Sequence, residues 1–490
     1  MKKRMAATLF AGIIAASMIG TFTPAEEIEW EDDPAEVTWM LWNVGGTVNE
    51  EGIQKVEDAL NEITLPKINV EVDLQVIDMG TYLSQMPMQV SAGDKIDLVT
   101  TFPAGAGSFT AMRNAGQLMP LQDLLEENAP ELLDLIPEKV LQATTVDGEL
   151  YAVPVYTDYT NDFAWICKEQ YLTEAGFSKD DIHNMDDITK VFEKVHELHP
   201  EMKMISSSAQ DLGVCAGAML TGISYDHLGT DLLAVMVDKD ATKVVSYYET
   251  EEYKELSEKL HAWYEAGYID QDVSTRTSNV VSDPTVFSFL LGGNDERTHG
   301  SERMAGESLV SVKLLNGYVT TGTVAIMDMA IPTSAREPEG AARLMNLCYT
   351  DKELKMLVSY GLEGENYHYA ENGGLVENEN SSYSPNTIGI FGNAFLCDLK
   401  ESSIEDEYDP SKVDIENLKY SPLLGFNVNT DNISAEAAAL SAVYNEYKGM
   451  VCTGVADEDT YQAFIDKLYS NGLQKYIDDV QSQLDAWLAQ

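Results

Sequence analysis

The chain has 490 residues, 44% of them hydrophobic, and a formal net charge of -51. This length predicts two or three domains or lobes with sizeable cores. The acidic excess argues against binding to a nucleic-acid backbone, which requires clustered lysine and arginine, and against docking on anionic lipid. The five cysteines are scattered singly, which is typical neither of a disulfide framework nor of a zinc site.

The N-terminus has the pattern of a secretory signal. Residues 2–4 are basic, residues 6–19 are apolar, and residues 23–25 are small or proline. An apolar stretch of this length is short for a membrane span, so we predict a signal peptide over 1–25 and an acidic linker over 26–36. No cysteine follows the apolar stretch, so the sequence leaves lipid anchoring open.

Strands and helices alternate in the first third of the chain. Residues 37–42, 68–76 and 96–102 have the composition and alternation of strands, with helical patterns between them. This order predicts a parallel sheet with right-handed crossovers. Ligands bind beyond the carboxyl ends of such strands, so we expect the loops 43–48 and 102–108 to face a ligand.

One stretch, 150–168, determines the predicted domain organisation. Residues 150–156 are extended because Pro154 disfavours helix before it, and 163–167 is an apolar run suited to a strand. A polar and aromatic patch lies between them. This pattern indicates either a crossing between two lobes, with the ligand beside it, or a hairpin in one sheet. Two more extended stretches, 287–293 and 319–330, favour the crossing.

The last part of the chain is predicted to be helical. Acidic loops rich in asparagine and glycine extend to about residue 422. Residues 435–447, 460–471 and 474–488 then carry helical patterns.

Several motifs occur in an order that resembles a known family. They are AGDKID at 92–97, YAVP at 151–154, WYEAGYID at 263–270 and AIPTS at 330–334. Together they resemble the extracellular solute-binding protein family 1, the receptors of bacterial ABC importers for sugars and oligosaccharides. GLEGENY at 361–367 and SPLLGF at 421–426 resemble an uncharacterised C-terminal domain attached to some of these receptors.

The resemblance implies an α/β, two-lobe, periplasmic-binding-protein-like fold with a hinge of about three crossings and a helical C-terminal extension. We expect lobe 1 to comprise 37–156 and 284–322. Lobe 2 would comprise 157–283 and 323–490, with a C-terminal region from about 350. The implied function is extracellular capture of a carbohydrate for a membrane permease, by a monomer that is not an enzyme and has no cofactor or metal.

A sugar site combines aromatic faces with carboxylates and amides that bind hydroxyl groups. By position along the chain, the candidates are Trp42, Phe102, Tyr156, Asp158, Tyr159 and Asp162, with Asn294 and Arg297 after the return crossing. Two of them have a plain structural alternative. Trp42 also suits a core position at a strand end, and Asp158 suits a turn.

Other readings of the sequence are weaker. Gly213-Val-Cys215-Ala-Gly217 has the spacing of a nucleophile elbow but follows a loop-like segment. The acidic residues from Asp238 have the spacing of a calcium loop, but Lys243 stands where that loop requires glycine. Two alternatives to the sugar receptor stay open: a secreted hydrolase using a carboxylate pair, and a receptor for a peptide or another solute.

Overall fold

A computed structural model describes residues 32–489 except for 45, 104, 161, 207–224, 238–241, 276–280, 293–300, 302–304, 316 and 407–408. The predicted signal peptide, 1–25, and the predicted site residues Asn294 and Arg297 lie outside the described residues, as does the elbow-like sequence at 213–217.

The strands are numbered along the described chain. They are β1 Ala35–Asn43, β2 Thr47–Val48, β3 Val70–Asp78, β4 Leu98–Thr100, β5 Thr145–Val146, β6 Glu149–Leu150, β7 Val153–Pro154, β8 Phe163–Lys168, β9 Lys203–Ile205, β10 Tyr225–Asp226, β11 Leu233–Met236, β12 Val245–Ser246, β13 Val286–Gly292, β14 Leu309–Leu315, β15 Asp328–Ala330, β16 Tyr367–Tyr369, β17 Leu375–Glu377 and β18 Tyr383–Ser384.

The α-helices are numbered in the same way. They are α1 Glu50–Ile68, α2 Met79–Ala92, α3 Phe109–Asn114, α4 Gln122–Asn128, α5 Pro130–Leu135, α6 Glu138–Leu141, α7 Glu169–Glu174, α8 Met185–Leu198, α9 Glu251–Glu265, α10 Thr321–Val324, α11 Pro338–Thr350, α12 Lys352–Tyr360, α13 Glu401–Glu405, α14 Ser434–Val451, α15 Glu458–Ser470 and α16 Leu473–Leu488. None of these described helices is both long enough and apolar enough to cross a membrane.

The first lobe is built on a five-stranded sheet in the order β3-β1-β4-β15-β7. β1 runs parallel to β3 and β4, as the alternating strands and helices predict. β15 is antiparallel to both β4 and β7. Neighbouring residues of β1 such as Trp39 and Met40, whose side chains point to opposite faces, are both buried, because helices such as α2 and α11 pack against this strand.

A buried carboxylate explains the AGDKID motif. Gly93 ends α2 with a left-handed φ of 80°, a conformation that glycine adopts without steric cost. Asp97 then accepts hydrogen bonds from the backbone N–H groups of Thr38 (2.9 Å), Arg336 (2.6 Å) and Glu337 (2.9 Å). One side chain thereby joins β1 to the start of α11.

The second lobe is built on a four-stranded sheet in the order β14-β8-β13-β9. β8 is antiparallel to both β13 and β14, so the run 163–167 is a central strand of this sheet. Because β7 belongs to the first sheet and β8 to the second, the stretch 150–168 is a crossing between lobes and not a hairpin.

The sheet topology corrects part of the predicted lobe assignment. The expectation that 284–322 completes the first lobe is wrong for β13 and β14, since both pair with β8. The stretch 287–293 is therefore no crossing. Conversely, β15 and α11, predicted in the second lobe, pack in the core of the first. The stretch 319–330 does pass from the second sheet to the first, although α10 interrupts it.

The C-terminal helices belong to the second lobe. Side chains of α14, α15 and α16, including Leu440, Phe464 and Leu484, are buried in one core with Trp165 and Trp263. The predicted helical end of the chain is confirmed. Residues 418–426 connect the C-terminal helices to the first lobe and form a further crossing.

Candidate functional site

Three described segments connect the lobes, and hydrogen bonds join them side by side. Val155 in the first crossing donates to the carbonyl of Met327 in the second (3.0 Å). Val319 in the second crossing donates to Lys419 (2.8 Å), and Ser421 donates back to Val319 (2.8 Å). The crossings therefore form a compact hinge strip.

An open cavity of about 500 Å³ lies beside this strip and is lined from both lobes. Its lining combines backbone, apolar side chains, hydroxyl groups and side-chain amides, and none of the described lining residues is charged. The lining residues are Pro103, Gly105, Ser108, Phe109, Thr110, Ala111, Asn114, Leu228, Gly229, Thr230, Thr321, Gly322, Ala325, Phe426, Asn427, Val428, Thr430 and Tyr476. Such a surface suits a neutral ligand rich in hydroxyl groups.

The glycine-rich loop after β4 forms the first-lobe wall. Phe102 donates its N–H to the carbonyl of Gly107 (2.8 Å), which folds the loop back on itself. Gly105 adopts a φ of 77°. Ser108 then caps the start of α3, with its hydroxyl accepting from the N–H of Ala111 (3.3 Å). The prediction from strand order that this loop faces a ligand is consistent with its place at the cavity.

Trp42 and Phe102 form an aromatic pair at the ends of β1 and β4. Their ring centroids lie 4.9 Å apart at an interplanar angle of 57°. Trp42 is only 3% exposed, whereas Phe102 is half-buried. The indole Nε1 of Trp42 is buried and has no hydrogen-bond partner among the described residues. Neither ring is among the described residues that line the cavity, although Pro103, directly after Phe102, is; Trp42 is largely a core residue.

The predicted residues of the first crossing have separate roles. Tyr156 packs edge-on against Phe395, with centroids 5.2 Å apart, and burial raises its pKa. The carboxylate of Asp158 accepts from the N–H of Thr160 (2.8 Å), the turn contact that was the alternative for this residue.

Tyr159 and Asp162 are engaged within the protein. Tyr159 is 3% exposed, and its hydroxyl donates to the carbonyl of Val155 (2.7 Å). Burial, followed by the charge of Asp328, raises the pKa of Tyr159. Asp162 forms an ion pair with Lys313 at 2.8 Å. Their assignment as ligand contacts stays a prediction.

The second-lobe wall was not anticipated from the sequence. It comprises 228–230, 426–428, Thr430 and Tyr476. Leu228 holds a left-handed φ of 54°, and its N–H donates to the Asp226 carboxylate (2.9 Å). The other oxygen of Asp226 accepts from the Ser421 hydroxyl (2.6 Å). Burial raises the pKa of Asp226. This acid thus ties the cavity wall to the third crossing.

Within the described residues, no group of three or more histidine, cysteine or acidic side chains is placed to hold a metal ion. The described cysteines are all free thiols, and burial raises the pKa of each of them.

Two family descriptions match the chain. "Bacterial extracellular solute-binding protein" matches residues 53–355. "Domain of unknown function (DUF3502)" matches residues 422–489, which contain the third crossing's end and the C-terminal helices.

Similar proteins come from Streptococcus pneumoniae. A carbohydrate ABC transporter substrate-binding protein is 25% identical over 438 residues, 87% of each chain. The N-glycan transport solute binding protein NgtS superimposes with a TM-score of 0.78 at 22% identity, over 93% of this chain and 99% of NgtS. The complex of NgtS with Man1GlcNAc gives a TM-score of 0.70 at 23% identity, over 93% of this chain and 100% of NgtS. The substrate-binding protein FusA in complex with kestose gives a TM-score of 0.61 at 16% identity, over 93% of this chain and 99% of FusA. The structural likenesses establish the two-lobe fold.

Proposed function

The chain belongs to the family of bacterial extracellular solute-binding proteins, and we propose that it captures a neutral carbohydrate for an ABC importer. The observation that carries this proposal is the uncharged, hydroxyl- and amide-lined cavity between the lobes. The relatives NgtS and FusA, solved with Man1GlcNAc and kestose, support a sugar as the ligand class.

The proposed mechanism is closure of the lobes on the ligand. A ligand that contacts both walls of the cavity binds the closed arrangement more tightly than the open one, so it shifts the population toward closure. Phe109 and Thr110 come from the first lobe, and Thr230 and Phe426 from the second. The hydrogen-bonded crossings between them are the segments about which the lobes would rotate.

We also propose where this chain acts in the cell and which protein it delivers the sugar to. Members of this family are extracellular, and we propose that this chain is exported through the signal at 1–25. It would act as a monomer that docks on a membrane permease. The family and its relatives are binding proteins, and we propose that the bound sugar is released unchanged.

A thermal-shift screen against mono- and oligosaccharides tests the proposal. A ligand at 100 times its dissociation constant stabilises the native state by about 2.7 kcal/mol, which raises the melting temperature measurably. We expect neutral oligosaccharides to raise it and to be recovered intact by chromatography. A shift produced by peptides but by no sugar would contradict the proposed ligand class. Shortened sugars in the recovered sample would show a hydrolase instead.

A further inference from the structure

We propose that Asp328 makes the affinity for the sugar depend on pH, because the lobes close on the sugar only while this buried carboxyl group is neutral. The inference rests on the proposed function and adds to it control of the same site by protons. Asp328 lies at the first-lobe end of the second crossing, directly after Met327, whose carbonyl accepts the hydrogen bond from the first crossing.

Asp328 connects the hinge to the wall of the cavity through Thr101 at the end of β4. The backbone N–H of Asp328 donates to the Thr101 hydroxyl (2.9 Å), and that hydroxyl donates to the Asp328 carboxylate (2.9 Å). Thr101 also donates its own N–H to the carbonyl of Asp328 (2.8 Å). The next residue along the chain begins the loop 102–108, which supplies the first-lobe wall. A change at this carboxyl group therefore acts on both the hinge and the wall.

The carboxyl group is buried without a partner for its charge. Asp328 is fully buried, and its second carboxylate oxygen accepts no hydrogen bond within the described part of the chain. No lysine, arginine or histidine of that part pairs with it either. An unpaired carboxylate is costly to bury in its charged form, whereas the neutral acid is tolerated. Burial accordingly raises the pKa of Asp328 to about 7.

The other groups around Asp328 do not titrate near neutral pH. Two buried tyrosines interact with it, Tyr159 from the first crossing and Tyr349 from α11, and burial raises the pKa of both. Thr101 contacts it from the end of β4, and Pro154 is its partner in β7, and neither side chain can ionise. A charge that appears at this junction around pH 7 is therefore that of Asp328.

Rotation of the lobes can admit water to this junction, because the two tyrosines are fixed to different elements. The Tyr159 hydroxyl donates to the carbonyl of Val155 within the first crossing (2.7 Å). The Tyr349 hydroxyl donates to both carbonyls of β7 in the first-lobe sheet (2.9 Å each). A rotation of the crossing moves Tyr159 relative to Tyr349. Ionised Asp328 favours the opened junction, where water solvates its charge, and the neutral acid favours the dry one.

The sign of the pH effect follows from the arrangement that holds the proton. A sugar that contacts both walls selects the closed arrangement, in which Asp328 is neutral. Below about pH 6 the free protein already carries this proton, so affinity should not change with pH. Above about pH 7 the free protein has lost it and binding must take up one proton, so affinity should fall by about tenfold for each pH unit. The described lining of the cavity is uncharged and adds no pH dependence of its own for a neutral sugar.

The test is titration calorimetry of the full chain, from pH 5.5 to 8.5, with the neutral oligosaccharide that gives the largest thermal shift. For the wild type we expect affinity to fall by about tenfold between pH 7 and pH 8. At pH 8, titrations in two buffers of different ionisation enthalpy should show uptake of about one proton for each sugar bound. Asp328→Asn should show neither the fall nor the uptake. Asp94→Asn, at an exposed position on the same lobe, is the matched control and should behave as the wild type.

Small-angle X-ray scattering of the free protein gives a readout that needs no sugar. The radius of gyration should increase from pH 6 to pH 8 in the wild type and stay constant in Asp328→Asn. A wild-type affinity or radius that does not change with pH, or a pH dependence that Asp328→Asn retains, would overturn the proton control while the proposed function stands. Failure of every sugar to bind at pH 6 would instead refute the proposed function, and the control of sugar affinity with it.

Discussion

A buried acid, Asp328, gives a quantitative prediction about stability. It begins β15 beside the crossings and is fully buried. One carboxylate oxygen accepts from the Thr101 hydroxyl (2.9 Å), and the other has no partner among the described residues. Burial raises its pKa to about 7, because the charged form loses its hydration.

The sign of the effect follows from proton binding. The unfolded chain releases the proton of an aspartic acid near pH 3.9, whereas the folded chain keeps it on Asp328 up to about pH 7. Between these values the folded state binds the extra proton. The contribution of Asp328 to stability therefore falls as pH rises through the window and is constant above it.

Asp328→Asn mimics the protonated acid at every pH. Each pH unit in the window corresponds to about 1.4 kcal/mol, so the variant should gain about 2–3 kcal/mol over the wild type between pH 5 and pH 7. The assay is urea-induced unfolding of both proteins, followed by tryptophan fluorescence from pH 5 to 8. Asp94→Asn, at an exposed position on the same lobe, is the control and should show no such trend.

A free-energy difference between Asp328→Asn and the wild type that does not change with pH would refute this reasoning. It would show that the carboxyl group is already ionised in the folded protein at pH 5. A variant less stable than the wild type at pH 8 would have the same meaning, since it would indicate that the charged form is the stabilising one.

Three further predictions concern side chains that lie near the cavity or in the core of the first lobe behind it. Phe102→Ala should weaken the best sugar ligand by about 1–3 kcal/mol in calorimetry, and unchanged affinity would exclude the Phe102 ring from the site. Trp42→Ala should lower the free energy of unfolding by about 3–5 kcal/mol, because this ring is buried; a loss of binding with full stability would instead make it a ligand contact. Asp97→Ala should cost about 3–5 kcal/mol in urea unfolding, since three backbone N–H groups lose their acceptor, whereas Asp94→Ala should be near neutral.

The sequence predicts local structure and the first crossing well, for a physical reason. The apolar run 163–167 and the extended residues around Pro154 each form a strand from their own composition, and the polar joint between them suits a connection that lies outside a sheet. The parallel start of the first sheet follows equally from alternating strands and helices.

The assignment of later strands to lobes failed because strand pairing is not local. The run that became β13 is apolar on both faces, which a central strand of either sheet requires. Only its partners decide the sheet, and β8, to which it pairs, lies more than a hundred residues earlier. The short β15 gives an equally weak signal.

The candidate cavity was only partly predictable from the sequence, because it too depends on contacts between distant segments. Loop 102–108 follows a parallel strand, so its place at the cleft is predictable. The wall formed by 228–230, 426–428 and Thr430 is brought together by the buried Asp226 and Ser421, a contact between distant segments. The SPLLGF motif at 421–426 was the available signal, but its role in the cavity depends on the folded arrangement.

The most direct test of the central account is titration calorimetry of the protein with the neutral oligosaccharide that gives the largest thermal shift. We expect one binding site per chain and recovery of the sugar intact from the sample. Absence of binding heat with every neutral oligosaccharide, or heat that continues with the appearance of shorter sugars, would contradict it.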